Sequence, residues 1–154
     1  MNRREFSALL PVLLAAPALA PRAKAESDDP QIAAPYPLAS LASGNYPPGP
    51  ATAPETAPHI SHRFLLGMLP DNIRVEAHDS WLAPGAPPEA IGHHEHSEIW
   101  FVREGEAVLM TAGVSRTLKA GDMGLCIAGD SHYIANASKT APVSYLVLAV
   151  GPPE

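Results

Sequence analysis

The sequence predicts an all-β domain that closes into a small barrel or sandwich. After Pro58, short apolar or alternating runs recur about every ten residues, and no run has the length and period of a core helix. Turn-forming residues separate these runs, and the chain contains 18 prolines and 11 glycines. Short strands at this spacing favour a closed structure over an open sheet, because closure removes unpaired edges.

Nine candidate strands follow from this pattern. They cover residues 63–69, 74–82, 91–94, 99–103, 107–111, 115–118, 124–127, 132–136 and 144–150. The breaks between them carry turn residues, such as Pro84-Gly85 and Gly129-Asp130. A chain of 154 residues has room for one domain, so residues 59–151 are predicted to fold as a single unit.

The first 25 residues have the features of a bacterial export signal. Arg3 and Arg4 precede an apolar run of about 14 residues, which is too short to span a bilayer, and a small-x-small site ends at Ala25. The paired arginines with Phe6 resemble a twin-arginine leader; an ordinary Sec signal is the alternative. We expect cleavage after Ala25 and a periplasmic or secreted protein with no membrane span.

A flexible arm is predicted between the signal and the barrel. Residues 26–58 are rich in Pro, Ala, Ser and Thr and lack a sustained helical or strand period, which is typical of disordered segments. The alternative is that part of the arm lies along the barrel or reaches a neighbouring subunit, because Ile32, Tyr36, Leu38 and Leu41 offer apolar contacts.

Charge and cysteine content exclude two further roles. The formal net charge is −6, and loss of the signal, which carries four bases and one acid, leaves 15 acidic and 6 basic residues, or −9. Nucleic acid is therefore not an expected partner, since the chain has no basic patch to neutralise phosphates. The only cysteine, Cys126, lies between apolar residues, which favours a buried structural thiol over a disulfide or a reactive group.

A candidate metal site is indicated by clustered histidines. Four of the seven histidines are His93, His94, His96 and His132, and Glu98 follows the first three closely. Imidazole and carboxylate groups together suit Fe, Mn, Ni, Zn or Cu, and ligands from separate strands can converge inside a barrel. On an extended chain His94, His96 and Glu98 share one face, and His93 points to the other.

Five other residues receive a structural interpretation. His59, His62 and His78 show no ligand pattern and are predicted to be surface or sheet residues. Trp100 and Phe101 are neighbours on a predicted strand, so one should enter the core while the other faces a sheet surface or a partner.

The region around His132 resembles the second motif of the cupin superfamily, Gly-x5-Pro-x-Gly-x2-His-x3-Asn. Gly121, Gly129, His132 and Asn136 fall at the required intervals, and Ile127 stands in place of the proline. The match covers four of the five named positions, so the resemblance is specific.

The region around Glu98 resembles the first cupin motif, Gly-x5-His-x-His-x3,4-Glu-x6-Gly. His94 and Glu98 fall at its intervals, but Gly92 occupies the position of the first histidine. His93 and His96 are the nearby substitutes: His93 is adjacent in sequence, and His96 has the matching strand parity.

The resemblance covers about residues 60–150 and implies a single cupin jelly-roll barrel with a divalent transition metal in its interior, often as a homodimer. His94, Glu98 and His132 would form a two-histidine, one-carboxylate set that leaves positions open for a substrate oxygen. Oxygenase, isomerase or decarboxylase chemistry on a small polar metabolite is what the resemblance suggests, with no catalytic acid or base assigned. The alternatives are a non-catalytic periplasmic module that binds a small molecule or a metal, and a structural dimer without a ligand.

Overall fold

The structure, a computed structural model, describes residues 37–153 and confirms the all-β prediction. Its strands are β1 His59–Leu69, β2 Ile73–Leu82, β3 Gly92–His93, β4 Ser97–Glu104, β5 Glu106–Thr111, β6 Val114–Lys119, β7 Met123–Cys126, β8 Ser131–Asn136 and β9 Val143–Gly151. A 3-10 turn, Pro70–Asn72, joins β1 to β2. Each candidate strand has a counterpart at nearly the same place. The predicted signal peptide, residues 1–25, lies outside the described residues.

The strands form two antiparallel sheets that enclose an interior. One sheet has the order β1-β2-β9-β4-β7, and the other has the order β3-β8-β5-β6. Strands that are far apart in sequence are neighbours, as in a jelly roll, and residues alternate between the enclosed and outward faces of each strand. Within residues 37–153, no helix has the length and apolar character needed to cross a membrane.

The hydrophobic core lies between the two sheets. It consists of Leu82, Trp100, Val102, Ala107, Leu109, Leu118, Cys126, Ile134, Val143, Tyr145 and Val147. Trp100 is buried in this core while Phe101 is partly exposed on the outward face of β4, which confirms the predicted alternation. Cys126 is buried as predicted.

Two motif residues, Gly105 and Asn136, hold turns at one end of the barrel. Gly105 joins β4 to β5 with φ +77°, and a Cβ atom there would collide with the carbonyl oxygen of Pro142. The Asn136 side-chain amide donates to the carbonyl oxygens of Ala83 and Ala141, each at 2.9 Å. These motif positions therefore have structural roles.

The described part of the predicted arm, residues 37–58, contacts the edge strand β1. The N–H of Leu41 donates to the carbonyl of Met68 at 2.8 Å, and the N–H of Gly49 donates to the carbonyl of Arg63 at 2.8 Å. These bonds cover part of an otherwise unpaired edge. They agree with the alternative in which part of the arm lies along the barrel.

Candidate metal centre

Strands from both sheets bring three possible metal ligands together. Glu98 lies on β4 in the five-stranded sheet, His132 lies on β8 in the four-stranded sheet, and His94 directly follows β3. One ligand atom from each of these side chains lies within 4.8 Å of the other two. The convergence of these side chains that was expected from the motifs is therefore present in the structure.

Backbone contacts explain why His94 and His132 meet. Gly92 on β3 pairs with His132 on β8, which places His94 two residues beyond this pair. The N–H of Gly129 donates to the carbonyl of His94 at 2.8 Å, and Gly129 adopts φ +87°, which glycine tolerates without strain. The glycine of the second motif thus fixes a histidine of the first.

The carboxylate of Glu98 is the centre of the cluster. Its Oε2 atom lies 3.1 Å from Nε2 of His132, and its Oε1 atom lies 3.2 Å from Nε2 of His96 and 3.9 Å from Nε2 of His94. The rings of His94 and His96 stack, with their centroids 4.5 Å apart. Trp100 packs beside the His132 ring, with 5.2 Å between the ring centroids.

The electrostatics of the cluster favour an ionised carboxylate. Burial opposes ionisation of Glu98, but hydrogen bonds with His132 and His96 outweigh burial and hold the pKa of Glu98 well below its usual range. Burial also opposes charge on His132, yet its hydrogen bond with Glu98 and the negative charge of that carboxylate raise the pKa of His132. Glu98 is therefore negatively charged at neutral pH and attracts cations.

The donor set fits a divalent transition metal. Metal–nitrogen and metal–oxygen bonds are about 2.0–2.2 Å long, so two ligands of one ion lie up to about 4.4 Å apart. The Oε2 atom of Glu98 lies 3.1 Å from His132 and its Oε1 atom lies 3.9 Å from His94, both within this limit. The 4.8 Å that encloses all three ligand atoms exceeds the limit by about 0.4 Å, so a bound ion would draw the side chains slightly together. Two imidazoles and one carboxylate leave further coordination positions open.

The two substitute histidines lie in different environments. His93 is exposed and alternates away from the interior on β3. His96 is buried and contacts Glu98. His96 therefore lies at the centre, and the structure places His93 on the outside of the barrel.

Gly92 also faces the centre, as its position in the first motif implies. A Cβ atom built on Gly92 would lie 2.7 Å from Nε2 of His132 and 3.1 Å from Nε2 of His94. The imidazoles of His132 and His94 thus occupy space that a side chain at position 92 would need.

A second polar group, on β1 and β2, was not recognised from the sequence. The Arg74 Nη2 atom donates to Oε2 of Glu76 at 2.6 Å, and the Arg63 Nε atom donates to Oε1 of Glu76 at 3.2 Å. The Nδ1 atom of His78 lies 3.8 Å from the same carboxylate, and burial lowers the pKa of His78. The available signal was the recurrence of polar residues at every second position of β2, from Arg74 to Ser80.

A third polar group lies closer to solvent, where His59 and Glu89 are both about one-third exposed. Tyr145 donates its hydroxyl hydrogen to Oε1 of Glu89 at 2.7 Å, and Ser61 Oγ lies 3.0 Å from Nε2 of His59 and 2.9 Å from Oγ of Ser80. His59 approaches Glu89 through the same Nε2 atom, at 3.4 Å. A Ser-His-acid triad uses both ring nitrogens, so this group does not have that geometry.

Comparisons with known proteins agree with the fold and the motifs. A family model described as a cupin domain matches residues 81–149. A structure of KdgF from Halomonas sp. has a TM-score of 0.56 and 17% identity, over 73% of this chain and 96% of that chain. An RmlC-like cupin from Shewanella frigidimarina has a TM-score of 0.52 and 18% identity, over 74% and 91%. No curated protein is a significant match.

At 17% and 18% identity, the similar structures show the fold alone. The family match covers both motif regions, around Glu98 and around His132. Strands β3 to β8, the turn glycines and the converging motif side chains all lie in the part of the chain that the match covers. Residues 81–149 therefore match the cupin domain family, and the described residues share the fold of the similar cupin structures.

Proposed function

We propose that this protein is a metal-dependent cupin enzyme that acts on a small polar metabolite, by oxygenase, isomerase or decarboxylase chemistry. The observation that carries the proposal is the convergence of His94, Glu98 and His132, whose donor atoms lie within 4.8 Å of one another. The twin-arginine leader, the periplasmic or secreted location and the homodimer predicted from the sequence belong to the same proposal.

The side chains of this chain would hold and orient a divalent Fe, Mn, Ni, Zn or Cu ion. Such an ion, when bound, supplies a Lewis acid that polarises a substrate oxygen. Glu98 contributes the negative charge, and His96 fixes the orientation of its carboxylate through the 3.2 Å contact. The burial of these side chains excludes bulk water, which strengthens every electrostatic interaction at the centre.

The alternative is a non-catalytic periplasmic module that binds a small molecule or a metal. Gly92 favours this alternative, because it stands where the first motif has a histidine. The two functions differ in turnover and share the metal site. A module would bind metal and ligand without chemical change of the ligand.

Metal analysis of protein purified without a histidine tag tests the proposal. We expect about one transition-metal ion per chain after reconstitution, and loss of that ion in His132→Ala. His93→Ala is the matched control, since His93 is exposed and should leave the metal content unchanged. Folded wild-type protein that takes up none of the five metals would overturn the proposal.

A further inference from the structure

We infer that Arg74, assisted by Arg63, binds the carboxylate of a small organic acid beside the metal centre. This inference rests on the proposed function, because it assumes that the ligand occupies the same interior as the metal. It goes further by naming the chemical class of that ligand.

The strand register places Arg74 in the same interior as the metal ligands. Arg74 pairs with Gly151, and Glu76 pairs with Ala149, which in turn pairs with Glu98 on β4. Directly paired residues of antiparallel strands carry their side chains on the same face. Between β2 and β4, strand β9 contributes only the small residues Ala149 and Gly151 on this face, and His96, which contacts Glu98, lies against Gly151.

Arg74 carries a buried donor that the described residues do not satisfy. Its side chain is nine-tenths buried, and its Nη2 atom donates to Glu76. Its Nη1 atom is buried and has no hydrogen-bond partner within residues 37–153, and the same holds for Nδ1 of His78 on the same face of β2. Buried polar atoms in folded proteins almost always have a partner, so an acceptor from outside these residues is expected.

The charge of the interior indicates that this acceptor is an anion. Arg63 and Arg74 both form ion pairs with the single carboxylate of Glu76, and Arg74 is the buried member of the two. A divalent ion held by Glu98 would add one further net positive charge. Uncompensated buried charge is unfavourable, so an anionic ligand would stabilise the loaded site.

A carboxylate matches the geometry of the group. The guanidinium is a planar fork of N–H donors that pairs with carboxylates. A second carboxylate or a hydroxyl oxygen of the bound organic acid could reach the metal. The Arg63 side chain is 30% exposed and connects this group with solvent. A small organic acid could therefore approach from the side of β1.

Calorimetric titration of the metal-loaded protein tests this inference. Acetate, malonate and succinate are the acidic probes, and acetamide, malonamide and succinamide are the neutral probes of matched size. We expect at least one acid to bind about ten-fold or more tightly than its amide. In Arg74→Gln this preference should fall to about two-fold, with the metal content unchanged.

Arg103→Gln is the matched control. Arg103 lies on the outward side of the barrel, where it is more than half exposed beside Asp79, so its loss should leave the acid preference unchanged. If Arg74→Gln does not fold, Arg74→Lys keeps the charge but loses the fork, and we expect acid binding about five- to ten-fold weaker than in the wild type.

Two results would overturn the inference. In the first, metal-loaded wild-type protein binds acids and amides equally or binds none of the six probes. In the second, Arg74→Gln keeps the full acid preference. Failure of the proposed function has a different signature, since the wild-type protein would then contain no metal.

Discussion

Oε2 of Glu98 and Nε2 of His132 lie 3.1 Å apart, although the two residues belong to different sheets. This contact forms only when the four-stranded and five-stranded sheets close on each other. The metal centre therefore depends on the closed barrel. Substitutions of the metal ligands should lower the metal affinity more than they lower the stability of the barrel.

Glu98→Gln should abolish tight metal binding. The change keeps the size of the side chain but removes the negative charge to which His132 and His96 are hydrogen bonded. We expect metal affinity to fall by about 100-fold or more, measured by competition with a chromophoric chelator. Glu104→Gln, at an exposed position of the same strand, is the control and should not change the affinity. Equal metal affinities for the wild type and Glu98→Gln would show that Glu98 is not a metal ligand.

Gly92→Ala should weaken metal binding without unfolding the barrel. The added Cβ would lie 2.7 Å from Nε2 of His132, so this imidazole must move away from the centre. A loss of about 10- to 100-fold in metal affinity is expected from the same chelator assay. Gly44→Ala is the control, because nothing lies within 4 Å of a Cβ at that position. Unchanged affinity in Gly92→Ala would contradict the geometry described for position 92.

Paramagnetic metals should quench the fluorescence of Trp100. The indole lies 5.2 Å from the His132 ring, between centroids, and is buried with it. In a Trp81→Phe background, which leaves Trp100 as the only tryptophan, we expect Cu²⁺ or Ni²⁺ to reduce the emission in proportion to occupancy of the site. Emission that stays constant while metal binding is complete would place the ion away from His132.

Cys126 should react with alkylating reagents only slowly in the folded protein. Burial raises the pKa of its thiol to about 11, so thiolate is scarce at pH 8 and increases only as the pH approaches that value. Alkylation by iodoacetamide at pH 8, followed by mass spectrometry, should be at least about ten-fold slower than in urea. Equal rates in the two conditions would show that the thiol is accessible in the native state.

The sequence was most informative where motif spacing and strand alternation agree. His94, Glu98 and His132 were expected together because the two cupin motifs place them on facing strands, and the structure has them within 4.8 Å. The sequence left open whether His93 or His96 lies beside Glu98; the structure has His96 there, in the bend between β3 and β4. Motif spacing sufficed for His94, Glu98 and His132 because the cupin resemblance implies the barrel that brings the two motifs together.

Long-range pairing limited the remaining predictions. Polar residues occupy every second position of β2, at Arg74, Glu76 and His78. This alternation does not indicate which face of the strand is enclosed, because that depends on the pairing of β2 with β9, about 70 residues later. The sequence likewise left open whether residues 37–58 form a flexible arm or lie along the barrel, and it did not indicate their contacts with β1. They depend on the edge position of β1, which is a property of the assembled sheet.

Anomalous diffraction from crystals of the zinc-loaded protein directly measures where the metal binds. We expect one strong peak within about 2.3 Å of the donor atoms of His94, Glu98 and His132. A zinc-loaded, folded protein whose only peak lies at the exposed His93, or elsewhere on the surface, would contradict this expectation.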